Sequence, residues 1–347
     1  MPTLPHFIRK TALMLSPLLL LLGAYFYIDP FKVVRTYDVF YDPKEAWWVG
    51  LDADYTATCT YDRQYPQYGY DAIIFGNSRS RFYACDDWLQ YLPKGSSPYH
   101  FDANGESLYA MMRKVQYVER QGHPLHHALF VIDRELLAQD KAATKHNNTI
   151  APQLEGNTLA ARARLQIASL RAWFNLQFIY AYADASLTNE IKPYMMKRML
   201  LCKPYDYYQP TNEERQTDVE RRIAAGTYYD EPDIRAAFAD KQHPGEVSPP
   251  TIKASQLEQL RTIRDVLQRQ RTDYRIVVSP LYDQIKLHPQ DLAHLQEIFG
   301  VDRVFDYSGV NAITSDRHYF LEPFHYRTLA GRRILSEIYK PHLPFGK

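Results

Sequence analysis

One serine and one acid–histidine pair have the residue types that nucleophilic catalysis requires. Ser78 follows the apolar run Ile73–Phe75 and a Gly-Asn pair, and Glu322 precedes His325 by three positions near the C-terminus. A serine hydroxyl becomes a nucleophile when a histidine removes its proton, and an acid orients that histidine. The sequence therefore predicts Ser78 as nucleophile, His325 as base and Glu322 as orienting acid of an acyl-transfer site.

These segments also have other interpretations, which the sequence leaves open. A serine after Gly-Asn is a common N-terminal cap of a helix, without any role in catalysis. Asp316 and His318 form a second acid–histidine pair, and His318 lies seven residues before His325, so this pair is the alternative acid and base. Arg79 and Arg81 follow the serine and suit either an anionic substrate or salt bridges on the first turn of a helix.

Alternating strands and helices are expected to position these residues. Apolar runs of the kind found in strands covered on both faces lie at Ile73–Phe75, His127–Ile132 and Arg275–Pro280, with weaker ones at Tyr99–Phe101 and Val304–Asp306. Helical spacing of apolar residues predicts helices at 107–121, 257–267, 292–299 and 328–339. This order predicts an α/β fold with a parallel sheet, whose strands present ligand-binding residues at their carboxyl ends.

The alternation is interrupted once, between residues 136 and 253, which predicts an insertion in a domain that covers 71–347. A predicted helix in the insertion carries apolar residues on one face, at Ile167, Leu170, Phe174 and Phe178. Residues 29–70 are polar and aromatic with weak periodicity, and they are interpreted as a juxtamembrane segment that lies on the domain.

The N-terminal region has the composition of a membrane segment. Thr11–Ile28 contains no charged residue and would form a helix of about 27 Å, close to the hydrocarbon thickness of a bilayer. No small-residue cleavage site follows it, which favours an uncleaved signal anchor over a signal sequence or a buried hairpin helix. We expect a cytoplasmic head at 1–10, a single pass through the cytoplasmic (inner) membrane at 11–28, and a domain facing the periplasm or cell exterior.

Charge and cysteine content exclude several other classes. The formal net charge is +1 and no basic run is interleaved with aromatics, which argues against a nucleic-acid partner. Cys59, Cys85 and Cys202 are too few and too scattered for a disulfide scaffold and lack metal-ligand spacing, although one pair outside the cell stays open. No phosphate-binding glycine loop is present, so the sequence predicts neither a cofactor nor a metal.

The two chemistry-bearing segments resemble those of the SGNH (GDSL-like) hydrolases. Gly76-Asn77-Ser78 is similar to their first block, with Asn for the commoner Asp, and Glu322-Pro-Phe-His325 is similar to their Asp-x-x-His block. The likeness is closer to membrane-anchored cell-envelope relatives, including proteins of teichoic-acid D-alanylation and polysaccharide O-acetylation. It extends to Asp29-Pro30-Phe31 after the apolar helix and to His325-Tyr326-Arg327 with Gly331 following.

The resemblance implies a flavodoxin-like, three-layer parallel sheet and roles for further residues. It implies an oxyanion hole made by the backbone N–H groups of Ser78 and Gly105, the latter in the segment Phe101–Gly105. Asn77, Arg79 and Asn104 are the candidates for substrate binding. The family's third block, Gly-x-Asn-Asp, is absent, because the chain reads Phe-Val-Ile-Asp-Arg-Glu at positions 130–135.

The function that the resemblance implies is that of a serine esterase or O-acyltransferase acting on a cell-envelope glycan through an acyl-serine intermediate. The expected partners are a cell-envelope polysaccharide or acyl donor, the membrane, and a membrane-bound acyltransferase. The alternative is a catalytically degenerate relative that binds polysaccharide or scaffolds an acyltransferase. The missing third block and the presence of Glu322 in place of the family's Asp favour this alternative.

Overall fold

The computed structural model describes residues 4–143, 146–196, 201–203 and 205–339. Its helices are α1 Leu4–Ile28, α2 Ala53–Tyr68, α3 Cys85–Leu89, α4 Leu108–Arg120, α5 Arg134–Leu137, α6 Leu159–Trp173, α7 Leu176–Thr188, α8 Pro193–Met196, α9 Thr217–Ala224, α10 Pro232–Phe238, α11 Ala254–Gln270, α12 Pro289–Phe299 and α13 Thr328–Ile338. Its strands are β1 Trp48–Val49, β2 Ala72–Gly76, β3 Pro98–His100, β4 His127–Ile132, β5 Leu201–Cys202, β6 Asp206–Tyr208, β7 Glu213–Arg215, β8 Asp273–Val278, β9 Val304–Asp306, β10 Phe320–Glu322 and β11 His325–Tyr326.

A five-stranded parallel sheet in the order β3-β2-β4-β8-β9 forms the centre of the protein. The register pairs Ile74 with His100 on one side and with Leu129 on the other. The strands lie at the predicted apolar runs, and β4 and β9 have the predicted bounds. The predicted α/β class with a parallel sheet is confirmed.

Helices cover both faces of this sheet, as runs of consecutive apolar residues predict. Ile73 and Phe75 pack on one face with α2, α4, α11 and α12, whereas Ala72 and Ile74 pack on the other face with α3 and α13. Successive residues of β2 therefore pack into two different apolar clusters, one on each face of the sheet. This double burial leaves polar residues of the sheet at the strand ends, where the site lies.

The residues between β4 and β8 differ from the prediction in one respect. The prediction of a single helix with Ile167 and Phe178 on one face is wrong, because α6 ends at Trp173 and α7 begins at Leu176. The Asn175 side chain accepts a hydrogen bond from the Gln177 N–H at 3.0 Å and caps the second helix. Phe178 is buried, but Ile167 is half exposed.

The segment 29–70 contains α2, a helix for which the weak periodicity had given no signal. Tyr61 of α2 is fully buried, and its ring stacks on Phe101 with centroids 5.1 Å apart. The apolar periodicity of α2 is weak in sequence because most of its buried residues are polar or small, namely Asp54, Thr56, Ala57, Thr58 and Thr60. In the described part of the chain all three cysteines are free.

The N-terminal helix α1 stands apart from the sheet. Arg9–Ile28 is long and apolar enough to cross a membrane, and only 6% of its most apolar window is buried within the protein. A signal sequence has the same length and composition, so these properties alone do not distinguish the two. The last turns of α1 contact the domain, because Trp173 Nε1 donates a hydrogen bond to the Leu21 carbonyl at 2.9 Å.

Candidate active site

Ser78 lies on a sharp turn at the carboxyl end of β2. Gly76 is required there, because a Cβ atom would lie 2.6 Å from the Val131 carbonyl oxygen. The Asn77 side chain accepts a hydrogen bond from the Arg79 N–H at 3.0 Å, so Asn77, and not Ser78, caps the following 3-10 turn. The Ser78 hydroxyl is thereby left for another partner.

That partner is His325. Ser78 Oγ lies 2.8 Å from His325 Nε2, and His325 Nδ1 is hydrogen-bonded to a Glu322 carboxylate oxygen. Glu322 and His325 face each other in the β10–β11 hairpin, and the carboxylate also accepts the Phe324 N–H at 2.8 Å. The structure therefore brings the predicted serine, base and acid into one hydrogen-bonded chain. The hairpin accommodates the longer glutamate side chain.

The alternative pair lies elsewhere. His318 Nδ1 is 2.7 Å from Asp316 Oδ1 on an exposed turn, with 59% and 50% of the two side chains exposed. A hydrogen bond from the His318 N–H lowers the pKa of Asp316. The cavity that contains Ser78 is lined by Glu322 and His325, and among the described residues neither Asp316 nor His318 lines it. Of the two acid–histidine pairs, only Glu322 and His325 therefore lie beside Ser78.

The side chains of Asn77 and Arg79 both bind the buried carboxylate of Asp133. The buried carboxylate of Asp133 accepts hydrogen bonds from Asn77 Nδ2 at 2.6 Å and Arg79 Nη1 at 2.7 Å. Arg79 Nε donates to the Phe324 carbonyl at 2.9 Å, inside the hairpin that carries the histidine, and Nη2 donates to Glu135. The Arg79–Asp133 pair is thus a buried ion pair and not one of the surface salt bridges that the sequence left open, whereas the Glu135 partner is half exposed.

The charge on Asp133 is stabilised by this arrangement. Burial alone would raise the pKa of its carboxyl group, but the Arg79 charge and hydrogen bonds from Leu136 and Asn77 outweigh burial and lower the pKa. Sequence reasoning gave Asp133 no role, although a polar residue directly after a buried strand is a signal for a site at the sheet edge. Asp133 and Arg79 tie the ends of β2 and β4 to the histidine hairpin.

A second close approach holds the serine turn from the other side. A Cβ atom on Gly331 would lie 2.1 Å from the Phe82 carbonyl oxygen, so the first turns of α13 pack directly on the turn Ser78–Phe82. A larger residue at Gly331 would push the helix away. Because α13 follows the hairpin directly, this contact also fixes the position of His325.

The predicted oxyanion donors are the backbone N–H groups of Ser78 and Gly105. Gly105 has φ +59° in the loop after β3, and this loop runs along the end of β2, where the Ala103 N–H lies 3.4 Å from the Gly76 carbonyl. Among the hydrogen bonds of the described residues, neither the Ser78 N–H nor the Gly105 N–H donates to a protein acceptor. A side chain that could act as the family's third donor is absent from this position, since Asp133 is an acceptor only.

Buried ion pairs hold the Gly105 loop on both sides. Arg81 Nε donates to Asp102 at 2.7 Å, and Lys114, which is fully buried, lies between Glu106 and Asp54. Removing one partner of such a buried pair typically costs about 3 to 5 kcal/mol, because the other charge stays buried without compensation. These ion pairs fix the loop at both of its ends, at Asp102 and at Glu106.

Ser78 and His325 open into a cavity of about 340 Å³. One side of it is apolar or aromatic and the other is polar; the lining residues are Phe82, Val219, Tyr228, Leu321, Arg81, Asn104, Glu214 and Gln216. Asn104 is thus the one predicted substrate-binding residue that reaches this surface. A neighbouring groove of about 510 Å³ shares Arg81 and Glu214 with it.

The insertion supplies much of this wall, which sequence reasoning missed. Val219, Tyr228, Glu214 and Gln216 all belong to it, and the Tyr228 hydroxyl donates to the Leu321 carbonyl at 2.7 Å. More than a hundred residues separate these positions from Ser78, and they have no common spacing with it. A single sequence carries no signal for such a contact.

Among the described residues, one buried group has the atoms of a metal site. Cys85, His100 and Glu213 each offer a ligand atom within 4.8 Å of the other two. Glu213 already accepts hydrogen bonds from the Cys85 N–H and from Thr211, and it lies 3.4 Å from Arg215. These contacts satisfy the carboxylate without a cation, and the absence of a metal stays a prediction.

Comparison with protein-family models and with curated protein sequences found no match to this chain. The SGNH resemblance and the roles it implies therefore stay predictions. A functional proposal for this protein therefore depends on the geometry around Ser78.

Proposed function

We propose that the protein is a membrane-anchored, SGNH-like serine esterase or O-acyltransferase that acts on a cell-envelope glycan. One observation carries the proposal: the hydrogen-bonded chain Glu322–His325–Ser78, which ends in a cavity. A serine, a histidine and an acid in this order form the constellation of acyl-transfer enzymes on several unrelated folds.

In the first half of the proposed reaction, His325 Nε2 takes the hydroxyl proton while Ser78 Oγ attacks the carbonyl carbon of an acyl ester. The carbonyl oxygen becomes an oxyanion, for which the Ser78 and Gly105 N–H groups are the donors. The bond to the leaving oxygen then breaks, and the imidazolium returns its proton to that oxygen. Glu322 stabilises the imidazolium, and an acyl-serine remains.

In the second half, His325 removes a proton from water or from a sugar hydroxyl, whose oxygen attacks the acyl carbon. The Ser78 oxygen leaves and recovers its proton. The apolar residues Phe82, Val219 and Leu321 suit a small acyl group, and the polar groove alongside suits the hydroxyl groups of a glycan. Hydrolysis and transfer differ only in which hydroxyl enters.

The order of the strands supports a flavodoxin-like, SGNH-type fold. Numbered along the chain, the sheet strands have the order second, first, third, fourth, fifth, which is the order of flavodoxin-like sheets. Ser78 follows the first of these strands, at the carboxyl edge where such folds bind ligands. The apolar helix α1 supports an anchor in the cytoplasmic membrane, next to which a membrane-bound acyltransferase partner would supply the acyl group.

The missing third donor supports a second candidate, a catalytically degenerate relative that binds polysaccharide or scaffolds an acyltransferase. Asp133 occupies the family's third-block position, and its carboxylate is already paired with Asn77 and Arg79. Loss of one oxyanion donor costs about 3 to 4 kcal/mol of transition-state stabilisation. A site with two donors would then bind without appreciable turnover.

Labelling with a fluorophosphonate and turnover of a small acetyl ester by the full chain in detergent separate the two candidates. We expect wild type and the exposed-serine control Ser315→Ala to be labelled and to turn over the ester. Ser78→Ala should lose both. If wild type is unlabelled, or if labelling persists in Ser78→Ala, the catalytic proposal fails and the binding protein is favoured.

A further inference from the structure

Helix α7 is apolar on two opposite sides. Phe178, Ala181 and Ala185 are buried against the domain, as expected for a packed helix. On the other side, Leu176 is 76% exposed and Leu187 is 87% exposed. With about 100° per residue, positions 176, 180 and 187 fall on one face, and Tyr180 between them is also exposed. We refer to Leu176, Tyr180 and Leu187 as the α7 stripe.

The start of α7 lies beside the membrane-type helix α1. Trp173, at the end of α6, donates its indole N–H to the Leu21 carbonyl at 2.9 Å, and the Tyr25 hydroxyl donates to Gln166 of α6 at 2.8 Å. Leu21 lies seven residues before the last residue of α1, which is about 10 Å along the helix axis. The α6–α7 junction is therefore level with the last two turns of α1.

Contacts continue from this junction along α7. Phe31, just after α1, stacks on Phe178 with ring centroids 5.1 Å apart, and Trp47 lies edge-on to Tyr182 at 5.5 Å. The helix thus follows the chain that emerges from α1 instead of turning away from it. With α1 as the membrane anchor of the proposed function, the start of α7 would lie at the boundary between hydrocarbon and water.

The charges of the α6–α7 hairpin suit the same boundary. The one charged residue of α7, Asp184, is paired with Lys192 at 2.6 Å. Helix α6 has no acidic residue and carries Arg162, Arg164 and Arg171, of which Arg164 is paired with Glu155 at 2.5 Å. Interfacial helices combine an apolar face with basic residues, which contact anionic lipid headgroups, and tyrosine is enriched at this depth.

We propose that the α6–α7 hairpin lies on the membrane surface, with the α7 stripe embedded in the leaflet from which α1 emerges. The proposal rests on the membrane anchor of the proposed function, but it does not depend on catalysis. Two attachments, α1 and the α7 stripe, hold the domain in one orientation to the bilayer. A single helix followed by a flexible tether would let the domain rotate.

Depth-dependent fluorescence quenching tests this contact on the full chain in vesicles of phosphatidylcholine and phosphatidylglycerol. Cys59→Ser and Cys202→Ser leave only the buried Cys85, so that Leu187→Cys can be labelled with an environment-sensitive nitrobenzoxadiazole dye. The matched control is Val301→Cys, an apolar side chain that is 71% exposed and lies outside the hairpin.

We expect the dye at position 187 to shift its emission to the blue and to be quenched at least twofold by lipids with nitroxide-labelled acyl chains. The dye at position 301 should show neither effect. Vesicles that float with the protein but do not quench position 187 overturn the lipid contact alone. A dye at 187 that is shielded from aqueous iodide yet unquenched by lipid identifies a protein partner instead and also overturns the proposal. Failure to float removes the anchor and the proposal together.

Discussion

Two carboxylate–histidine pairs lie within one short stretch of this chain and have the same chemistry in different surroundings. In one, Glu322 holds His325 against Ser78 at the mouth of a cavity. In the other, Asp316 holds His318 on an exposed turn, where the ring packs edge-on to Tyr229. An acid near a histidine in sequence is therefore insufficient to define a catalytic pair.

The two pairs differ in position because different parts of the protein hold the segments that carry them. Arg79, bound to the buried Asp133, donates to the Phe324 carbonyl and fixes the hairpin of His325 to the sheet. Arg327 donates to the His318 carbonyl at 2.7 Å, but its own partner, Glu220, is on the insertion. One pair is attached to the ends of the central strands and the other to the periphery.

Removal of each histidine is the most direct way to break this comparison. We expect His325→Ala to lower kcat for a small acetyl ester by about 10⁶-fold, because in the proposed reaction Ser78 loses its base. We expect His318→Ala to change kcat by less than about twofold, since its ring does not reach the cavity. Steady-state kinetics on the two purified variants decide the matter, and a greater loss in His318→Ala would reverse the assignment.

Neutralisation of each acid should give a smaller effect of the same kind. Glu322→Gln keeps the size of the side chain but cannot stabilise the imidazolium, and its amide favours the wrong tautomer of His325. We expect a loss of about 10⁴-fold in kcat with little change in KM, and no more than about twofold for Asp316→Asn. Equal losses in both variants would contradict the assignment of Glu322 as the orienting acid.

Acid denaturation sharpens the contrast between buried and exposed carboxylates. The folded-state pKa of Asp133 is lowered, so its stabilising effect is complete above the unfolded value of about 4 and is lost as the pH falls through the folded value. We expect Asp133→Asn to cost about 1.5 to 3 kcal/mol at neutral pH and to unfold with a weaker acid dependence than wild type.

The exposed control Asp316→Asn should cost less than about 0.5 kcal/mol, since exposed ion pairs contribute little. Urea unfolding of the three proteins at neutral pH and at several pH values below 4 measures both quantities. If wild type and Asp133→Asn lose stability equally on acidification, Asp133 is not the group that supports the hairpin.

Local patterns in the sequence predicted the strands of the central sheet, and they made Ser78 and His325 candidates for one site. Residues 127–132 and 304–306 form strands with the predicted bounds because each run is apolar on both faces and ends at polar residues. The placement of Ser78 followed from the rule that parallel strands present ligands at their carboxyl ends. The acid was open between Glu322 and Asp316 until the hairpin placed one of them beside the imidazole.

Features that depend on distant or atypical residues could not be predicted. The break between α6 and α7 depends on a single cap at Asn175, inside a pattern that otherwise favours one helix. Arg79 was a candidate for substrate binding, but its contacts with Asp133 and Phe324 arise only when the strand ends meet. Contacts of this kind are properties of the tertiary structure and not of any local segment.

Ser78 and His325 are 247 positions apart in the sequence, which has a consequence for the order of synthesis. A growing chain contains the serine long before the histidine, and closing so large a loop requires most of the sheet to have formed first. A chain that ends before Phe320 lacks the proposed base and acid, His325 and Glu322, and also the helix α13 that packs on the serine turn. In the proposed reaction, chemistry at Ser78 would thus begin only after the β10–β11 hairpin and α13 have packed on the serine turn, so that folding of residues 320–338 switches on the site.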